Sequence, residues 1–395
     1  MLANTLLFAL ASTGTDPVAL PSPVRAEGEL AIRAAVVHVG DGKRIADGTV
    51  LVRAGRIAAV GAGIAVPDGA AVIEHDGHLS AGLIAMRDYS GSAGEGADST
   101  RPVLPAAELA YAYDPEHPDF ERLARAGITS VVIAPPFSAP PVQMPELPEG
   151  FFFPGFSFET PSAPLVGGST ALVKVGSGRL VQRRAQLHLS FSESALGQDA
   201  APTSYPGALA LLDELFANPS GALADAKSGR LAVVLYAGSN QEVQRAVAFA
   251  QRHGLKGAIA GAPRAGELAK AIQAAGLGVI CAPFSPGIET RALRAVAELA
   301  EAGVPFGFAL DAPERDPESL RLGAAACVRE GLDPDVAWAA LTSSAASLLG
   351  AAAEIGSVAA GRQADLVLWS GPPLDLGSTP VAVYVDGQKI HGGAQ

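Results

Sequence analysis

Cysteine is scarce in this chain of 395 residues: there are two, Cys281 and Cys327, and they form neither a CxxC pair nor a Cys/His ligand spacing. That leaves no thiol-based metal motif, so both are read as small apolar residues in or near the core, silent on redox compartment. Basic runs are missing too. With 28 lysines and arginines against 40 acids, the net charge of −12 opposes phosphate backbones and anionic lipid, which excludes nucleic acid as a partner. No window of about 18 apolar residues runs without polar breaks, which removes a membrane-spanning helix. Gly-x-Ser-x-Gly does not occur, so a serine nucleophile has no motif behind it. Gly91-Ser92-Ala93-Gly94-Glu95-Gly96 lacks the lysine of a phosphate loop, and Gly61-x-Gly63 meets Pro67 and a further strand where a nucleotide-binding helix would begin.

What is present is small and apolar. Apolar residues make up 49% of the chain and charged ones 17%, with alanine and valine supplying most of the surplus. This composition fits a well-packed α/β protein. A barrel domain routinely exceeds about 200 residues as one unit, so the length suits one barrel and a smaller companion. Met1–Ala11 is apolar and ends in Ala-Leu-Ala, similar to a signal-peptidase site, yet no lysine or arginine precedes Arg25. Export and a cytoplasmic location both remain open. Residues 12–28 have the Pro/Ser/Thr/Gly content of a linker.

From Leu30 the pattern is short strands between Gly and Asp turns: Ala31–Val39, Thr49–Arg53, Arg56–Val60 and Ala71–Glu74. A similar block closes the chain, around Leu366–Trp369 and Val381–Ile390. Neither block can make a core alone, so the two ends are expected to pair. Between them, apolar runs at Ile128–Ala134, Leu231–Ala237, Gly257–Ala260, Leu277–Ala282 and Val304–Leu310 alternate with helical stretches. Those stretches are Phe120–Ala126, Asn240–His253, Ala265–Ala275, Thr290–Ala302, Leu320–Glu330 and Pro334–Leu349. Gly127, Gly254, Gly276 and Gly303 stand where helix C-caps belong. Such repetition predicts parallel βα units closing into a barrel. The stretch 135–230 is less regular, with Pro-rich Ala134–Pro148 and Phe151–Phe153; Thr170–Val175 is its best strand.

Asp41-Gly42, Asp47-Gly48, Val50-Leu51-Val52, Gly55-Arg56-Ile57 and Val60-Gly61 near one end resemble the amidohydrolase superfamily. So do Ala340-Leu341-Thr342, Gly356-Ser357-Val358, Ala364-Asp365-Leu366-Val367-Leu368 and Val385-Asp386-Gly387 near the other. Gly168–Val173, Gln186–Phe191 and Tyr205–Leu212 look most like its imidazolonepropionase-like branch. The resemblance implies an α/β fold, a distorted (β/α)8 TIM-like barrel with a composite β-sandwich domain formed from both chain ends. Residues 1–28 would be leader and linker, 29–80 and 354–392 the β domain, and 81–353 the barrel. It further implies hydrolysis of non-peptide C–N bonds in cyclic amides or amidines. Water activated by zinc or another divalent metal would attack, with histidine or carboxylate ligands on strands one, five and six. A carboxylated lysine on strand four and a catalytic aspartate ending strand eight complete that pattern.

The ligand positions depart from it. Leu79–Tyr89 keeps Gly82, Leu83 and Ile84 but carries Arg87 and Tyr89 where the family has two histidines. Arginine offers a fixed positive charge and donors only, and tyrosine ligates only as a phenolate. Strand five has Tyr236 in place of histidine, and strand six has none near Gly261. Asp311 keeps the position of the family's catalytic aspartate. No metal or cofactor is therefore expected, and an Arg87–Asp311 pair is expected across the barrel mouth. Lys174 stands for the carboxylated lysine or, without metal, is an ordinary ammonium. Among the seven histidines, His75 and His78 are read as lying in a turn before strand one, and His188 alone as reaching the barrel. Arg87, Tyr89, Lys174, His188 and Tyr236 are thus the candidate ligand-binding residues, with Asp311 the catalytic candidate. Three roles stay open: a pseudoenzyme that binds a small molecule or partners an active paralogue or second copy, an active hydrolase with an unrecognised metal site, and a purely structural protein.

Overall fold

The computed structural model describes residues 28–40, 42–92, 98, 101–136, 162–197 and 201–393. The leader-like Met1–Ala11, the linker to residue 27, Asp41, the glycine-rich residues 93–97, and the Pro- and Phe-rich stretch 137–161 lie outside the described residues.

Strands from both ends share one seven-stranded sheet. Its order is Gln388–His391, Pro380–Val385, Leu366–Trp369, Ala71–Ala81, Glu29–His38, Arg44–Arg53, Arg56–Ala62. The join is made by Ala71–Ala81, which runs parallel to Glu29–His38 and antiparallel to Leu366–Trp369. Alternate residues of these strands, including Ile32, Val37, Val50, Leu79, Leu366 and Leu368, form one apolar cluster, as the two-residue period of a strand requires. Ala71–Ala81 is longer than the sequence suggests, because partners on both sides extend its ladder. His75 and His78 therefore lie within a strand and not in a turn. His78 Nδ1 sits 2.8 Å from His38 Nε2, and His75 Nε2 is 2.9 Å from the Trp369 carbonyl.

Gly82 passes the chain to the next sheet, where a Cβ would fall 2.1 Å from Thr129 Oγ1. A four-stranded sheet follows the order Leu83–Asp88, Ile128–Ile133, Ala171–Lys174, Leu180–Gln182. A six-stranded sheet follows Phe306–Phe308, Gly278–Cys281, Gly257–Gly261, Ala232–Ala237, Gln186–Ser190, Val166–Ser169. Most neighbours are parallel and separated by helices. The segment Val166–Lys174 is the exception, running antiparallel to both Gln186–Ser190 and Ile128–Ile133. Only residues 175–185 separate it from the next long strand, too few for a crossover helix, so the direction must reverse.

The helices follow their end signals. Asn240–His253 begins on Ser239, whose side chain accepts from Glu242 N in a capping box, and ends on Gly254 at φ 66°. The stretch expected as one helix over Pro334–Leu349 breaks at Thr342 (φ −136°, ψ −95°) into Pro334–Leu341 and Ser343–Leu348. Thr342 Oγ1 donates to Trp338 O at 2.8 Å. Residues on one strand face, among them Ile84, Met86, Val132, Leu172, Val234, Ala260 and Ile280, meet in one cluster. The opposite faces, such as Leu83, Val131, Val173, Leu187 and Leu235, pack with helical Leu212, Phe249 and Leu293.

Hydrogen bonds outside the ladders tie the two sheets together. Leu310 N and Asp311 N donate to Arg87 O at 2.9 and 3.4 Å, and Tyr89 N donates to Ala312 O at 3.1 Å. On the other side the chain itself crosses from one sheet to the other at Thr170, whose N donates to Gln186 O at 2.8 Å.

Charge fastens the seven-stranded sheet to the four-stranded one. Lys174, wholly buried, donates through Nζ to Asp365 Oδ2, and Asp365 Oδ1 accepts from Asp386 N at 3.1 Å. Arg179 grips Asp386 with Nε at 3.0 Å and Nη2 at 2.8 Å. Breaking a buried pair leaves a desolvated charge. Lys174→Met should therefore lower the unfolding free energy in urea by about 3–5 kcal/mol, and Lys174→Met with Asp365→Leu should recover most of it. A cost below about 1 kcal/mol for the single change would show that the pair does not fasten the sheets.

Candidate functional site

Strand Leu83–Asp88 carries Arg87 to its C-terminal end, and Phe306–Phe308 leads into the turn that carries Asp311 beside it. Arg87 Nε donates to Asp311 Oδ1 at 2.6 Å, and Nη2 donates to Oδ2, the two-pronged arrangement that suits a guanidinium and a carboxylate. The pair is mostly out of water, with side-chain exposures of 7% and 15%. Burial opposes the Arg87 charge, but the Asp311 carboxylate outweighs it, and the net effect raises the Arg87 pKa. Asp311 itself adopts φ 61°, a left-handed conformation that aspartate tolerates better than most side chains.

Three groups surround this pair electrostatically. Burial raises the pKa of Tyr89 and of Tyr236, Arg87 opposing the rise and Asp311 adding to it, so both phenols keep their protons. Gly261, at φ 97°, makes room for Tyr236: a Cβ there would lie 2.2 Å from its ring. His188 is wholly buried, and burial followed by the Arg87 charge pushes its pKa down to about 3, which makes it a neutral imidazole. The bare backbone of Gly167 lies against it; a Cβ would come 2.9 Å from His188 Nδ1. A compensated ion pair, two neutral phenols and a neutral imidazole can donate and accept hydrogen bonds without presenting net charge.

Of the residues singled out from sequence, Arg87, Tyr89, His188, Tyr236 and Asp311 come together, and Lys174 does not join them. Its strand runs backwards, so Lys174 pairs in register with Ser130, near the start of Ile128–Ile133, while Ala171 lies beside Ile133 at the far end. A register that reads identically in both directions concealed this. Among the described residues, no three or more His, Cys, Asp and Glu side chains form a group that could hold a metal ion. Cys281 and Cys327 are buried free thiols, as expected of core residues.

One contributor was not visible from the sequence. Asp88 is wholly buried, and its Oδ1 accepts from Ala312 N at 2.6 Å. Alternation along a strand sends Arg87 and Tyr89 to one side and Asp88 to the other, but the register slips between Ala85 and Asp88.

Comparison with known proteins finds partial similarity to amidohydrolases. Residues 243–390 match the amidohydrolase family. The chain is 43% identical over 83 residues to an imidazolonepropionase from Acidiphilium cryptum (strain JF-5), a match covering 20% of this chain and 21% of that protein. These matches make parts of the chain similar to amidohydrolases. A second curated relative, the amidohydrolase tasK of Hapsidospora irregularis, is 35% identical over 80 residues, 20% of this chain and 8% of that protein. The matches thus span under a quarter of either relative. The fold of an amidohydrolase from Thermotoga maritima MSB8 superimposes with a TM-score of 0.78 at 22% identity, over 92% of this chain and all of that one. Among the described residues no helix is long and apolar enough to cross a membrane.

Arg87→Met would leave the Asp311 carboxylate facing a desolvated surface and should cost about 3–5 kcal/mol in urea unfolding. Arg87→Met with Asp311→Asn, which keeps a side chain tolerant of positive φ, should recover most of that loss. A single-variant cost under about 1 kcal/mol would mean that solvent already screens the pair.

Proposed function

We propose that this amidohydrolase-family protein binds a small molecule at a mouth where the Arg87–Asp311 ion pair replaces the metal, and that it does not hydrolyse by metal-activated water. The observation that carries this is the two-pronged bond from Arg87 to Asp311. Asp311 holds the position of the family's proton acceptor, and here its two oxygens are engaged by a permanent cation. A divalent metal does not fit these donors. Arg87 would repel it, the Tyr89 and Tyr236 phenols would each have to ionise against burial that raises their pKa, and His188 is a single imidazole. No catalytic step is therefore routed through a metal.

Architecturally, the reading takes the four- and six-stranded sheets as two arcs of one distorted barrel. The bonds from residues 310–312 to strand Leu83–Asp88, and the crossing at Thr170, support this. It takes residues 29–80 and 354–392 as a composite domain, supported by the shared seven-stranded sheet. Such a protein serves either as a binder of its ligand or as the non-catalytic partner of an active paralogue.

The test is turnover of lactams, hydantoin-like rings and amidines with and without added zinc or manganese. The expected result is no rate above background, in the native chain and in Asp311→Asn alike. Metal-dependent turnover that Asp311→Asn abolishes would establish instead an active hydrolase with a site built from other ligands.

A further inference from the structure

We propose that Asp88 is the positioning residue of this site: its carboxyl group holds the Leu310–Ala312 turn so that Asp311 meets Arg87. The turn is anchored to one short stretch of strand and its exit. Arg87 O accepts from Leu310 N, Tyr89 N donates to Ala312 O, and between them Asp88 Oδ1 accepts from Ala312 N at 2.6 Å. Of these anchors, the Asp88 contact alone is made by a side chain, so it is the one that a substitution can remove without altering the backbone. Ala312 adjoins Asp311, whose left-handed φ of 61° would relax toward ordinary backbone if the amide were released. Asp88 thus acts through Asp311 rather than on a ligand, and the inference holds whether the site binds or turns over its ligand.

The surroundings of Asp88 give it a second consequence. Burial pushes its carboxyl up from 3.8 to about 7, the Ala312 N–H pulling down and the Asp311 charge pushing up. The charged group that faces it is Asp311 on the opposite turn, while the Ser90 hydroxyl and the Tyr89 amide on its own exit, like the Ala312 amide, favour its ionised form. A carboxyl whose folded pKa is raised contributes stability that is complete below the unfolded value. That contribution is lost as pH climbs from about 4 through about 7. Acid should therefore stabilise the fold by relieving the buried charge, although the Ala312 N–H bonds the ionised carboxyl more strongly than the neutral one.

Site-resolved amide exchange on the full chain tests the assignment. Asp88→Ala should speed exchange at Ala312 at least about tenfold while the Val233–Leu235 amides stay as they are. Asp88→Asn keeps an acceptor oxygen and cannot ionise, so it should restore protection at Ala312. It should also abolish the fall in thermal stability that the native chain shows between about pH 4 and pH 7. Unchanged exchange in Asp88→Ala, or alanine-like exchange in Asp88→Asn, would overturn the proposal. Should Asp88→Ala fail to fold, Asp88→Asn decides: protection kept at Ala312 supports the role, and protection lost there while the Val233–Leu235 amides keep theirs contradicts it.

Discussion

The site depends on how the end of one strand, Arg87-Asp88-Tyr89, is held against the turn Leu310-Asp311-Ala312. Backbone, a buried carboxyl and an ion pair all act there within six residues. Each satisfies a group that burial would otherwise penalise: the guanidinium has its carboxylate, the Ala312 amide its acceptor, and the Arg87 carbonyl two donors. The cost is chemical. The Arg87 cation and the Asp311 carboxylate are each engaged by the other.

The two buried charge pairs lie at opposite ends of the strands. Lys174 and Asp365 fasten the seven-stranded sheet near the strand starts, and Arg87 and Asp311 close the strand ends. Buried pairs of this kind seldom add net stability over apolar replacements, though losing one member is costly. Their common effect is to make particular positions obligatory. Fold alone does not carry an activity, and matches spanning under a quarter of each curated relative leave the site's own residues as the ground for any functional statement.

Much of the architecture was legible. The helix Asn240–His253, the glycines at 127, 254, 276 and 303, and β-branched runs such as Val233–Leu235 are local signals, and the structure uses them locally. The direction of Val166–Lys174 was not legible, because an alternating apolar pattern is the same read either way; with it went the placement of Lys174. Thr342 carries no breaker signal, so two helices read as one. Within the site, Arg87, Tyr89, Tyr236 and Asp311 could be found because they occupy the positions of a recognisable pattern. Asp88 sits between two of those positions, on a strand buried on both faces, and no sequence period announces the register slip beside it.

The account rests on Arg87 and Asp311 standing where a metal would, and the metal content of the purified, untagged protein tests that most directly. After incubation with zinc, manganese and iron and removal of excess, elemental mass spectrometry should find far less than one metal per chain. Near-stoichiometric metal, lost in Asp311→Asn, would contradict the account and restore hydrolysis as the function to pursue.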